Sequence, residues 1–176
     1  MLVTLGGSDP HNVTLKVLEG LSLLDIPGIE VKVVVGDINP HYAKLRDYCD
    51  SRELNVELLR GVENMAEIMS WADCAVTAAG ETCYELIYMQ TPFLSMIVAE
   101  NQIAFADRSH QLGICRSLGW YDKLSIERIA DELQEFIYNT KERRRQKDKQ
   151  EIMRGSSFDG AWLVNLEKGD ICDRRT

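Results

Sequence analysis

Two short turns carry the residues best suited to hold an anion: Gly6-Gly7-Ser8-Asp9-Pro10-His11-Asn12 near the start, and Ala79-Gly80-Glu81-Thr82 in the middle. Each follows an apolar run and leads into an amphipathic one. Glycine accepts positive φ and lets a ligand approach the backbone, while the start of a helix presents N–H groups without intrahelical partners and a partial positive charge. Together these features cradle a phosphate. Neither turn fits the dinucleotide fingerprint GxGxxG or the phosphate loop GxxxxGK[ST], which disfavours NAD and ATP hydrolysis. Taken singly, a Gly-Gly turn closed by an Asp or Asn cap is also an ordinary way to leave a strand. The chemical reading therefore requires the two turns to meet.

Glu85 stands three residues beyond Thr82, on the same helix face. Thr82 offers a hydroxyl to a phosphate, and the Glu85 carboxylate offers acceptors to both hydroxyls of a ribose, the task of the acidic residue in dinucleotide sites. Glu81 argues the other way. A carboxylate about 4 Å from a phosphate costs roughly 1 kcal/mol in water and roughly 4 at an effective dielectric of about 20, so it must point aside or pair with a cation. The histidines, His11, His41 and His110, fall in a loop, at a helix start and late in a helix, with no carboxylate partner by sequence. His11 reads as an exposed loop residue beside the phosphates. Cys83 has no assignable base and reads as a small core residue. Five cysteines, Cys49, Cys74, Cys83, Cys115 and Cys172, contain no CxxC pair and point to reduced thiols. No metal and no cofactor is expected.

The elements that must position these groups are legible as an alternation. Apolar runs at 2–5, 29–35, 56–59, 74–78 and 93–98 read as strands, and VKVVV, CAVTA and FLSMIV are continuous enough to be buried on both faces. A short sixth strand is expected near 114–118. Between them, helical spacing covers 13–24, a segment opened by Asn39-Pro40 and running to about Arg52, 65–71 capped by Asn64, 80–89, 101–112, and a long helix begun by Ser125. This is α/β: a three-layer, Rossmann-like open parallel sheet of about six strands, with a flavodoxin-like sheet as the alternative. In the Rossmann order, strands one and four are neighbours at the switch point, where such sheets bind ligands. Both glycine turns follow those two strands.

A chain of 176 residues with 45% hydrophobic composition supports one core. The expected domain covers 1–160, followed by a polar tail at 161–176. A formal net charge of −8 argues against nucleic acid, and the basic run at 141–150, interleaved with Glu142 and Asp148, reads as a solvated helix end. No run is long enough for a membrane span and the start lacks the pattern of a signal peptide, so a cytoplasmic protein is expected.

The segments LGGSDPHN, AAGETCYEL and TPFLSMIVAENQ, in this order and at this spacing, resemble the C-terminal half of GT-B fold nucleotide-sugar enzymes. Within that group they are most similar to the UDP-sugar hydrolase of pseudaminic acid biosynthesis and the spore-coat polysaccharide proteins. The likeness runs from Leu2 to about Gly119, with a fainter echo of a closing helix in SSFDGAWLVNL. It implies a UDP-sugar or related nucleotide sugar as ligand, with Gly6, Gly7, Ser8, Asp9 and the Gly80-Glu81-Thr82 turn around the diphosphate and Glu85 on the ribose. It also implies uracil against the loop holding Gly61, Val62 and Met65, and a sugar reached by Asn101 and Gln102. For Asn101, helix capping is an equal alternative. The family places a Rossmann domain before this one, whose glycine-rich loop supplies a catalytic histidine; the expectation is that this chain lacks that half and is inactive alone. The competing expectation is a non-catalytic nucleotide-sugar-binding or assembly module partnered with another biosynthetic enzyme.

Overall fold

The computed structural model describes residues 1–52 and 54–155. Its six strands are β1 (Leu2–Thr4), β2 (Val31–Val35), β3 (Val56–Arg60), β4 (Ala75–Ala78), β5 (Phe93–Ile97) and β6 (Arg116–Trp120). All pair in parallel, in the order β3-β2-β1-β4-β5-β6. That is the Rossmann order and not the flavodoxin-like one. Leu2 of β1 sits opposite Lys32 on one side and Ala75 on the other, so the switch point lies between β1 and β4.

Successive side chains on a strand point to opposite faces, which divides the core in two. On one face Val3, Val33, Val76 and Leu94 pack with Val17 and Leu18 of α1 (Val13–Ser22), Leu45 of α2 (Tyr42–Ser51), and Ile129, Leu133 and Phe136 of α6 (Ile126–Tyr138). On the other face Leu2, Val34, Ala75 and Phe93 pack with Met69 of α3 (Met65–Trp71), Leu86 and Ile87 of α4 (Thr82–Tyr88), and Phe105 of α5 (Ile103–Gln111). Helices on both faces force the strands to be apolar throughout, hence the unbroken runs in the sequence. α1 and α6 meet at Gly20, where a Cβ would fall 2.8 Å from Ile129 Cγ2.

Local caps follow the sequence. The Asn64 side chain accepts from the Glu67 amide at 3.3 Å, and Ser125 Oγ accepts from the Arg128 amide at 3.1 Å. Other boundaries move. β6 begins at Arg116, two residues later than expected, with Ile114 and Cys115 buried ahead of it. α2 begins at Tyr42, with Pro40 outside and the Asn39 side chain accepting from the His41 amide at 2.8 Å.

The largest departure concerns residues 141–150: Lys141, Arg144, Arg145, Lys147 and Lys149 are exposed as expected, but the run belongs to a separate helix and not to the end of the preceding one. The chain breaks at Asn139 and starts α7 (Thr140–Gly155), which turns back under the sheet and packs on α4. Gln146 and Gln150 are buried. Gln146 Oε1 accepts from the Phe93 amide at 2.9 Å, while Gln150 Nε2 donates to the carbonyls of Ile114 at 3.1 Å and Thr91 at 3.3 Å. These bonds satisfy backbone groups where β5 begins and before β6, a need that no local pattern announces. Arg116 of β6 joins α6 and α7 by donating to Glu132 at 2.8 Å, to Glu135 at 2.6 Å and to Glu142. The same guanidinium holds the Glu135 carboxyl below its usual range. The closing-helix echo, the end of the domain at 160, the polar tail and Cys172 lie outside the described residues.

Candidate functional site

The two glycine turns meet. The ends of β1, β2, β3 and β4 enclose an open cleft of about 400 Å³, lined by Gly6 and Gly7 from the first turn, Thr82 and Glu85 from α4, and Gly61, Val62 and Met65 from the loop after β3. Seven expected ligand residues thus share one hollow at the switch point. Glu85 is exposed and Thr82 half-buried, so both side chains are open to a ligand.

The two helix starts beside the cleft differ. Asp9 is buried, with φ 38°, and its carboxylate accepts from the amides of Val13 at 2.8 Å and Thr14 at 2.9 Å. The Asn12 amide donates to the Asp9 carbonyl at 2.9 Å. The first amides of α1 are therefore occupied from within, and the Asp9 side chain, expected among the ligand residues, is a helix cap. At β1 the cradle reduces to the Gly6-Gly7 turn, with Gly6 at φ 94°, and to the exposed Ser8 next to it. At α4 there is no side-chain cap. The amides of Cys83 and Tyr84 close on the carbonyls of Gly80 at 3.1 Å and Glu81 at 2.9 Å, and among the described residues those of Glu81 and Thr82 take no partner. The Glu81 side chain is exposed and does not line the cleft, which removes the repulsion its position threatened.

The remaining expected residues fall to one side. Gln102 Oε1 accepts from the Val98 amide at 2.9 Å, and its Nε2 lies 3.5 Å from where a Cβ on Gly80 would stand, so the amide bridges the end of β5 and the second turn. Asn101 is exposed in a 3-10 turn and makes no side-chain cap, which removes the capping explanation. Neither residue lines the cleft. His11 is exposed and stacks on Tyr121 with ring centroids 5.0 Å apart. Cys83 is fully buried, its thiol donates to the Ala78 carbonyl at 3.2 Å, and burial pushes its pKa well up, as befits a core residue. Among the described residues no group of His, Cys, Asp and Glu is arranged to hold a metal ion, and no helix is long and apolar enough to cross a membrane.

Sequence reasoning missed the end of β2. Gly36 and Asp37 line the cleft, and Gly36 is pressed against the first turn so closely that a Cβ would stand 2.3 Å from the Gly7 carbonyl oxygen and 2.6 Å from its Cα. The available signal was the dipeptide itself, a glycine and an acid at the end of the second strand of a Rossmann unit. Among the described residues there are three further hollows, the smallest of about 200 Å³ around Leu21, Ile26 and Leu54. One of about 560 Å³ between α3 and α4 shares Glu63, Met65 and Glu85 with the cleft, and one of about 390 Å³ lies at the opposite end of the sheet around Met1, Trp71 and Tyr138. None of the three contains a glycine turn from the switch point.

Known proteins share the family and the fold of this chain. The spore coat polysaccharide biosynthesis protein SpsG of Bacillus subtilis (strain 168) is 32% identical over 120 residues, 68% of this chain and 35% of that protein. The pseudaminic acid cytidylyltransferase and UDP-2,4-diacetamido-2,4,6-trideoxy-beta-L-altropyranose hydrolase of Helicobacter pylori (strain ATCC 700392 / 26695) is 27% identical over 167 residues, 95% of this chain and 28% of that protein. The chain thus spans about a third of the length of these curated relatives. Among solved structures, the spinosyn rhamnosyltransferase SpnG complexed with thymidine diphosphate superposes with a TM-score of 0.71 at 17% identity, over 94% of this chain and 45% of that one. The fold is one half of the GT-B architecture. With the family model for the glycosyltransferase family 28 C-terminal domain matching residues 1–159, the chain belongs to that family.

Proposed function

We propose that this domain binds the nucleotide half of a UDP-sugar or related nucleotide sugar, as the C-terminal part of a hydrolase or glycosyltransferase in surface polysaccharide or nonulosonic acid biosynthesis. The observation that carries the reading is the meeting of Gly6-Gly7, Thr82 and Glu85 in one cleft between β1 and β4. The diphosphate lies across the two turns, taking the free amides of Glu81 and Thr82 and the hydroxyls of Thr82 and Ser8. The ribose hydroxyls donate to Glu85, and the base rests against the apolar side chains of Val62 and Met65. Gln102, tied to the end of β5 beside Gly80, and Asn101 face the sugar.

Cleavage of the glycosyl-phosphate bond needs a base to activate water or an acceptor hydroxyl. Of the side chains beside the two turns, Asp9 is occupied as a cap and Cys83 is fully buried, so neither serves as that base. That group comes from a preceding N-terminal GT-B domain. In this reading the domain occupies residues 1–160, works in the cytoplasm and has no nucleic-acid partner, in keeping with its net charge of −8. Titration calorimetry with UDP, CDP, ADP and dTDP tests the site: saturable binding of at least one is expected, and no binding by any of them at millimolar concentration overturns the reading.

A further inference from the structure

The end of β2 supplies the cleft with a carboxylate that the reading above does not use. Asp37 follows Val35 and Gly36 and lines the same hollow as Gly7, Gly61, Val62 and Glu85. Its Oδ1 stands 3.0 Å from the point where a Cβ on Gly61 would lie. Gly61 has φ +67°, which favours a residue without a side chain, and the space so left is filled by the Asp37 carboxylate.

Separate contacts hold that loop in place. Gly36 abuts Gly7, the Asn39 amide donates to the Gly36 carbonyl at 3.1 Å, and the Arg60 guanidinium donates to the Asp37 carbonyl while lying over the Tyr42 ring at 5.1 Å. Arg60 thus engages the backbone of Asp37 rather than its side chain. Among the described residues no hydrogen bond or salt bridge reaches the carboxylate. The result is a charged acceptor, held by its own main chain and open to whatever fills the cleft.

Its place along the sheet decides what it meets. Neighbouring strands are roughly 4.8 Å apart, so the walk from β4 through β1 and β2 to β3 crosses roughly 14 Å. Thr82 and Glu85 sit at the β4 end, the Gly6-Gly7 turn on β1, Asp37 on β2 and Gly61-Val62 on β3. With the diphosphate across the β1 and β4 turns and the ribose on Glu85, the part of a nucleotide that extends toward β2 and β3 is the base. An acid at this position holds a ribose hydroxyl in dinucleotide domains; here Glu85 already serves the ribose, which leaves Asp37 for the base edge.

We propose that Asp37 selects the base. A carboxylate accepts hydrogen bonds and gives none, so it favours an edge that presents amino or adjacent N–H donors, as cytosine and guanine do. Uracil offers one edge N–H between two carbonyl oxygens, and both oxygens face a like partial charge. Asp37 therefore raises the standing of cytidine and guanosine diphosphates against UDP in this cleft. The inference rests on the nucleotide reading and, within it, moves the preference from the UDP-sugar toward a related cytidine or guanosine nucleotide sugar.

The test is calorimetry of the chain and its Asp37→Asn and Asp37→Ala variants with UDP, CDP, GDP and 2′-deoxy-UDP, with thermal melts to show that each variant is folded. Both variants are expected to shift the affinity ratio toward UDP by about tenfold against CDP or GDP, the size of one hydrogen bond to a charged group. A change by one common factor for every nucleotide overturns the proposal, since it makes Asp37 only a charge near the diphosphate. Loss of discrimination between UDP and 2′-deoxy-UDP at unchanged base ratios also overturns it and assigns Asp37 to the ribose. If the unaltered chain binds none of the four, the nucleotide reading itself fails, and this inference with it.

Discussion

The turns after β1 and β4 look alike in the sequence, each a glycine turn running from an apolar strand into a helix. In the folded molecule they divide the work. After β1 a buried acid closes the helix start, and only the glycine backbone ahead of it stays open. After β4 the helix start has no side-chain cap, and two polar side chains one turn apart face the cleft. The lesson is that a helix N-terminus counts as an anion site only after its own cap has been located. An Asp four residues ahead of a helix reads equally as ligand and as cap, and geometry chooses the cap at Asp9 because both carboxylate oxygens already accept amides.

The strongest way to break this comparison is Gly36→Ala. The added methyl meets the Gly7 backbone at 2.3 Å, and no flexible side chain is there to yield. A loss of about 3 kcal/mol in stability is expected, together with loss of nucleotide binding because the first turn is displaced. Urea unfolding and calorimetry read the two effects. Asp9→Ala comes next, with about 2 kcal/mol of destabilisation from removing a buried cap and a melting temperature lower by about 4 to 8 °C. Nucleotide affinity in the folded fraction should change little. If affinity collapses while the melt is unchanged, Asp9 is a ligand residue and the division of labour is wrong.

Glu85→Ala should behave as the converse. Its side chain is exposed and supports no packing, so the melt is expected to stay within about 1 °C while UDP affinity falls by about tenfold, near 1.5 kcal/mol. Thr82→Val, which keeps the shape and removes the hydroxyl, is the smallest step: about 1 kcal/mol in affinity for a diphosphate, and less for the bare nucleoside. Equal losses for uridine and UDP would move Thr82 away from the phosphates.

Much of this molecule is determined by its sequence alone. Strand and helix alternate as the runs predict, and Asn64 and Ser125 cap where they stand, because periodicity and capping act over two to four residues. Two glycine turns and Glu85 could be singled out for the same reason. The tertiary structure decided what depends on partners far along the chain. Strand order placed the two turns side by side, with Leu2 opposite Ala75. The contact of Gly36 on Gly7 gave the end of β2 a part in the cleft, and α7 kept the basic side chains of 141–150 outside while burying Gln146, which meets the Phe93 amide 53 residues away. Residue type sets which bonds a side chain can make, and only packing settles which of them is already made within the protein and which is left for a ligand.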